Sequence, residues 1–265
     1  MPMQSGRRYC VFHAARQEPA RGSVLYVHPF AEEMNKSRRM AALQARALAD
    51  TGYAVLQVDL LGCGDSSGDF ADASWEAWVD DIGTASRWMQ QRAPAPLWLW
   101  GLRAGCLLAA EAARRTDAEC RLVFWQPTPS GNVVLQQFLR MKLAGDLVSG
   151  RAKGAMQALR NDLTEGRPVD VAGYALSPAI AHGLERADLQ PPAQAIRLEW
   201  LELSMLDDAA VSPAAMAHRA RWEQSGCDVR CEVVKGPAFW QTSEIEEAPD
   251  LIRATLAAMA TPTQA

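Results

Sequence analysis

The feature that most constrains this chain is its rhythm. Short, continuously apolar runs alternate with longer stretches of helical periodicity. The runs are Tyr9–Ala14, Val24–Pro29, Ala54–Leu60, Leu97–Leu102, Leu122–Gln126, Leu198–Leu203 and Val229–Val234. Each has the length of a strand and is rich in Val, Leu or aromatic residues. Between them fall Ser37–Asp50, Trp75–Gln91, Ala104–Arg115, Pro213–Gln224 and Ala248–Met259. A strand that is apolar at every position must be covered on both faces. The alternation therefore predicts a mostly parallel central sheet flanked by helices. Ser74 and Ser212 stand where N-caps belong, Pro213 suits a first helical position, and Gly52 and Gly226 suit helix ends.

The rhythm breaks once. From Thr128 to Ile196 no strand is legible. Val133–Leu147, Lys153–Leu163 and Ile180–Arg186 read as helices, punctuated by Pro127, Pro129, Pro168, Pro178, Pro191 and Pro192. An insertion this long is either a decoration or a lid over the ligand end of the sheet. We read it as a helical cap, 128–196, inserted into a core made of 1–127 and 197–265. It is too small to bury a core of its own.

Composition narrows the partners. With 27 basic and 31 acidic residues in 265, the net charge is −4, which disfavours a nucleic-acid surface. The six cysteines include no C-x-x-C pair. Free thiols in a reducing cytoplasm are expected, with no structural metal and no cofactor. Arg7 and Arg8 are not followed by an apolar signal-peptide core, and no apolar run is long enough to span a bilayer. These features predict a soluble, cytoplasmic protein. Oligomeric state and substrate have no signature of their own.

The most specific local signal is Gly101-Leu102-Arg103-Ala104-Gly105, between the strand Leu97–Trp100 and the helix that follows. Strand, tight turn and helix form the setting of the nucleophile elbow G-x-S-x-G, with arginine where serine would stand. Three further landmarks follow strands. They are His28-Pro29-Phe30, the loop Asp59-Leu60-Leu61-Gly62-Cys63-Gly64-Asp65-Ser66-Ser67-Gly68, and Asp207-Asp208 before Ser212-Pro213. The last strand leads into Gly236-Pro237-Ala238-Phe239-Trp240. Together these motifs resemble the α/β-hydrolase superfamily, which implies the α/β-hydrolase fold. The resemblance implies an oxyanion-type loop after His28, at Phe30 and Ala31. It places the triad acid at Asp208, less readily Asp207, and the triad histidine at Phe239.

The string His28-Pro29-Phe30-Ala31-Glu32-Glu33-Met34-Asn35-Lys36-Ser37-Arg38-Arg39-Met40, the arginine elbow and Pro237-Ala238-Phe239-Trp240-Gln241-Thr242 carry the resemblance further. They resemble the exosortase A system-associated hydrolase, type 2, over about Tyr9 to Met259. This implies a bacterial protein beside exosortase and exopolysaccharide functions, with a protein partner in such a system among the expectations.

A Ser-His-Asp enzyme needs a nucleophile, a base and an acid. Only the acid position matches here. Arginine stays protonated and cannot attack, and phenylalanine cannot shuttle protons. The chain has four histidines, and His182 and His218 do not follow the last strand. His28 reads as a structural residue of the oxyanion-type loop or as a ligand contact. Cys106 reads as a core thiol, Cys63 as a weak substitute nucleophile, and Ser66 as a turn residue.

Arg103 presents a planar fork suited to a carboxylate or phosphate, beside the Ala104 N–H at a helix start. Its alternative is an internal ion pair with Glu32, Glu33 or Asp208. Some partner is required, since a buried unpaired guanidinium is too costly. Glu32, Glu33, Asn35 and Lys36 are secondary site candidates, and Glu33 is the first choice for acid–base chemistry. Phe239, Trp240 and Trp75 are candidates for an apolar cleft wall, whereas Trp98, Trp100, Trp125 and Trp200 are expected to pack the core. Two functions lead, with a cofactorless enzyme using the oxyanion-type loop and Glu33 for proton transfer as a third. One is a divergent enzyme acting on an acyl, ester or glycan-linked ligand by a route without serine. The other is a non-catalytic pseudo-hydrolase that binds an anionic or acyl ligand or a protein partner.

Overall fold

A computed structural model of the chain describes residues 1–3, 5–147 and 154–260. In chain order the elements are β1 (Cys10–His13), β2 (Gly22–Val27), α1 (Glu32–Asp50), β3 (Tyr53–Val58), α2 (Trp75–Arg92), β4 (Leu97–Leu102), α3 (Ala104–Arg114) and β5 (Cys120–Trp125). Then come α4 (Gly131–Leu147), α5 (Ala155–Thr164), β6 (Val169–Val171), β7 (Tyr174–Leu176), α6 (Pro178–Arg186), β8 (Ala195–Ser204), α7 (Pro213–Gln224), β9 (Asp228–Lys235) and α8 (Pro249–Ala260). The strands expected from apolar runs are present, within a few residues at their ends.

Seven strands form one sheet in the order β1-β3-β2-β4-β5-β8-β9. β1 pairs antiparallel with β3, and the other neighbours pair parallel. Side chains alternate between two covered faces. On one face Val24, Tyr26, Trp98, Trp100, Val123 and Trp125 pack under α1 and α8. On the other, Leu25, Val27, Leu99, Leu122 and Phe124 meet α2, α3 and α7. Trp98, Trp100, Trp125 and Trp200 are all buried, as expected of core residues. Each buried aromatic side chain of this kind stabilises the fold by about 2–3 kcal/mol relative to exposure.

Local chemistry starts and stops the helices as the sequence predicts. Ser74 Oγ accepts the Ala77 N–H at 3.1 Å, and Ser212 Oγ accepts the Ala215 N–H at 3.1 Å. Pro213 occupies the first turn of α7. Gly52 (φ 95°) and Gly226 (φ 91°) take the left-handed conformation just beyond the ends of α1 and α7. A third cap went unforeseen: Ser177 accepts the Ile180 N–H at 3.1 Å ahead of Pro178.

The expectation of a strandless stretch from Thr128 to Ile196 is corrected by the small antiparallel hairpin β6–β7. Its strands have three residues each, and its turn residues Ala172 and Gly173 have φ of 51° and 86°. Both positive φ values mark a type I′ turn, but Ala-Gly lacks the Asn or Asp that usually signals one. Ala195 and Ile196, expected in the strandless stretch, form the start of β8. Lys153, the expected start of one helix, lies outside the described residues. The stretch is fastened to the rest of the chain at Gly183, where a Cβ would lie 2.1 Å from the Trp75 Cβ. Trp75 is therefore buried under α6 and is not a cleft wall.

Candidate functional site

From the edge strand β1 the chain passes to β2, moves to β3 on one side of it, and then crosses to β4 on the other. The loops leaving β2 and β4 therefore run in opposite directions, and the crevice between them is the natural ligand position of an open α/β sheet. These two loops and the helix starts after them carry His28 to Glu33 and Arg103 with Ala104.

The β4–α3 turn is a true elbow. Arg103 has φ 55° and ψ −119°, a conformation in which non-glycine residues are strained. The flanking glycines explain how it is held. A Cβ on Gly101 would lie 2.7 Å from Cys106 N, and one on Gly105 would lie 2.2 Å from the Val27 carbonyl oxygen. Only glycine lets α3 start this close to β4 and to the end of β2. The β2–α1 turn repeats the geometry, with Ala31 at φ 51° and ψ −126°. Two elbows thus stand side by side, and nothing in the sequence marks the second.

Arg103 points into the space between them. Its Nε donates to Glu33 Oε1 and one Nη to Gln137 Oε1, each at 3.3 Å. The guanidinium also lies over the Trp240 ring, 5.5 Å from its centroid. Of the three acids open as partners, the structure selects Glu33. Asp208 is exposed and makes no hydrogen bond or ion pair among the described residues. Asp207 is exposed and pairs with Lys235 at 2.5 Å. The expected acid position therefore has no histidine and no arginine attached to it.

Glu32 and Glu33 occupy the first turn of α1, where the helix dipole favours anions. Burial nevertheless raises Glu33 from 4.5 to about 7, outweighing the opposing pull of Arg103. Glu32 Oε2 is buried without a hydrogen-bond partner among the described residues. Asn35 Nδ2 donates to the Tyr174 hydroxyl at 3.3 Å, and Lys36 Nζ donates to the Gln241 carbonyl at 3.4 Å. Gln137 and Tyr174 come from the 128–196 stretch. Sequence reasoning missed both, since neither belongs to a motif.

His28 is committed internally. Its ring is buried, Nδ1 meets the Pro29 carbonyl at 2.8 Å, and Nε2 accepts the Leu60 N–H at 3.3 Å. Those partners fix a neutral ring with the proton on Nδ1, and burial lowers its pKa in agreement. Of the two readings of His28, the structural one describes it. The Asp59 loop is equally internal. Asp59 accepts from Arg38 at 3.0 Å and from the Asp65 N–H at 3.1 Å, while Ser66 Oγ accepts the Tyr9 N–H at 2.9 Å.

Phe239, at the expected histidine position, is buried against Trp125 and Trp240, with ring centroids 6.1 and 5.2 Å away. It belongs to the core and lines no cleft. Trp240 is buried too, with its ring under the Arg103 guanidinium. Phe30 is buried and sits edge-on to Phe70, Trp78 and Phe138. Ala104 is buried at the first position of α3, where its N–H has no partner within the helix.

No thiol is poised to act as nucleophile. Burial pushes Cys63 up to about 12 and Cys106 well above its ordinary value. Among the described residues, no three His, Cys, Asp or Glu side chains are grouped to hold a metal ion, and no helix is long and apolar enough to cross a membrane. A groove of about 500 Å³ lies beside the Asp208 loop, lined by Gln126, Glu202, Ser204 and Ser212. A larger cleft of about 680 Å³ lies between α2 and α3, toward the start of β4, and is remote from the elbow.

Comparison with known proteins places this geometry. Est1E from Butyrivibrio proteoclasticus, solved with ferulic acid bound, superposes with a TM-score of 0.62 at 13% identity, covering 97% of this chain and 94% of that one. A highly thermostable carboxyl esterase from Bacillus coagulans, in complex with glycerol, gives 0.60 at 14% identity over 88% and 86%. An α/β serine hydrolase without a lid from Xanthomonas campestris gives 0.56 at 18% identity over 96% and 91%. No curated protein matches the sequence. At these identities the structural likeness establishes the fold, which is the α/β-hydrolase fold. The family model described as serine aminopeptidase, S33, matches residues 18–198, more than half of the chain, and the chain belongs to that family.

Proposed function

We propose that this chain is a pseudo-hydrolase: a member of its family that binds a small acyl or glycan-linked ligand through an anionic group and does not hydrolyse by the serine route. The observation that carries this reading is Arg103 at the apex of the elbow. Its fork lies between Glu33 of the β2–α1 turn and Gln137, and two hydrogen bonds of 3.3 Å hold it. Bonds that long are weaker than the ~2.7–2.9 Å typical of charge-assisted pairs, so a carboxylate or phosphate competes well for the same donors. The free Ala104 N–H and the start of α3 favour an anion at the same place. The contacts of Gln137 and Phe138 with Arg103 and Phe30 support reading 128–196 as a cap over the ligand end. The resemblance of the Glu32–Arg39 string to exosortase-associated hydrolases supports a role beside exopolysaccharide or protein sorting.

One observation favours a second reading. Glu33, held at about 7, is poised to exchange protons at neutral pH, as a divergent enzyme without a serine would require. A panel of esters and thioesters, with binding of short fatty acids measured in parallel, separates the two. The binding protein gives no turnover and loses fatty-acid affinity in Arg103→Ala. Turnover abolished by both Arg103→Ala and Glu33→Gln establishes the divergent enzyme instead. Arg103→Ser alone gives no esterase, because Phe239 supplies no base.

A further inference from the structure

The guanidinium of Arg103 is only partly spent. It makes one bond to Glu33 and one to Gln137, and its remaining N–H groups have no bond among the described residues. Glu33 is paired with this cation, and its neighbour Glu32 has a buried oxygen with no hydrogen-bond partner among the described residues. The site is also enclosed: the side chains of Arg103 and Glu33 are 15% and 18% exposed. The groups that face Glu33 are Arg103 from the elbow, the buried Tyr26 phenol from β2, and Glu32 and Lys36 from its own helix. Lys36 is drawn toward the Gln241 carbonyl. Among the described residues Arg103 is the cation hydrogen-bonded to Glu33, so an incoming anion competes with Glu33 for the same fork.

We infer that the elbow exchanges anions and does not accumulate them: a ligand carboxylate or phosphate takes the place of Glu33 on Arg103, and the displaced Glu33 carboxylate takes up one proton from solvent. The charge balances. One ion pair to Arg103 is broken, one is formed, and the proton neutralises the carboxylate left behind. Burial already brings Glu33 to about 7 with Arg103 beside it, and losing that partner moves it further up. The inference rests on the anion-site reading above and adds its regulation. Such a site loads its ligand at slightly acid pH and releases it as pH rises.

Calorimetry with octanoate, which stays ionised across the range, tests this at pH 6, 7 and 8 in two buffers of different ionisation enthalpy. Wild type is expected to take up about half a proton per octanoate at pH 7 and nearly one at pH 8. Its affinity falls roughly fivefold or more between those two values. Glu33→Gln is expected to bind with no proton uptake and an affinity that is flat with pH. Octanoate binding by wild type without proton uptake, or uptake that survives in Glu33→Gln, overturns the exchange and leaves the anion site standing. Absence of octanoate binding by wild type even at pH 6 overturns the anion site and the exchange together. The buffer comparison on wild type alone decides the matter should the variant fold poorly.

Discussion

Replacing Glu33 with glutamine should change how stability depends on pH, in a direction fixed by where the carboxyl sits. Its pKa is raised in the folded protein from 4.5 to about 7, chiefly by burial. Below 4.5 the folded and unfolded chains both hold the proton, and Glu33 costs nothing in charge burial. Between 4.5 and 7 the unfolded chain releases its proton while the folded chain keeps it, so stability falls as pH rises. Above 7 the loss is complete. At ~1.4 kcal/mol for each tenfold change, the whole effect is about 3 kcal/mol. The part between pH 5 and 8, after allowance for the residual exposure of the side chain, is about 2 kcal/mol. Glutamine resembles the protonated carboxyl in shape and cannot ionise. The stability difference between Glu33→Gln and wild type should therefore grow in favour of the variant by about 2 kcal/mol from pH 5 to pH 8. In urea unfolding that is a relative midpoint shift of roughly 1 M at ordinary m-values. Other titrating groups are common to both proteins and cancel in the difference. Parallel pH profiles, or a variant that becomes relatively less stable at pH 8, would refute the reasoning. Either result would mean that Glu33 is ionised and stabilised by Arg103 at all working pH values.

Two further outcomes follow from packing. Gly105→Ala would force its Cβ to within 2.2 Å of a backbone oxygen at the end of β2. It should lower stability by about 3 kcal/mol or prevent folding, which a thermal melt reads directly. Of the six cysteines, Cys63, Cys106, Cys120 and Cys227 are buried and Cys10 and Cys231 are half-buried. A thiol reagent should label at most those two in the native protein and all six after denaturation, and rapid native labelling of Cys106 would contradict the inert elbow.

Several parts of the molecule were legible in the sequence because their cause is local. Continuous apolar runs dictated strands covered on both faces, and the glycines around Arg103 dictated an elbow because no other residue fits so near Cys106 and Val27. Ser74 and Ser212 capped their helices because a hydroxyl one position before a helix meets its free N–H groups. The hairpin β6–β7 escaped notice because three-residue strands carry too little pattern and Ala172-Gly173 is a weak turn signal. Ala31 escaped because its strain is imposed by neighbours and not by its own side chain.

What the sequence determined by itself was the alternating α/β architecture and the strand–turn–helix elbow that carries Arg103. What only the tertiary structure decided was the company each residue keeps. Glu33, and not Glu32 or Asp208, pairs with Arg103, because strand order sets the β2 and β4 loops side by side and leaves Asp208 exposed at the end of β8. Gln137 reaches the same guanidinium from a stretch whose own residues give no hint of it. Phe239 was drawn into the core beside Trp125, and Trp240 packs against Phe239 with its ring under Arg103. Periodicity and turn chemistry act over a few residues and can be read from them. Ion pairs and burial depend on which distant loops the sheet brings together, and that is settled only when the chain closes on itself.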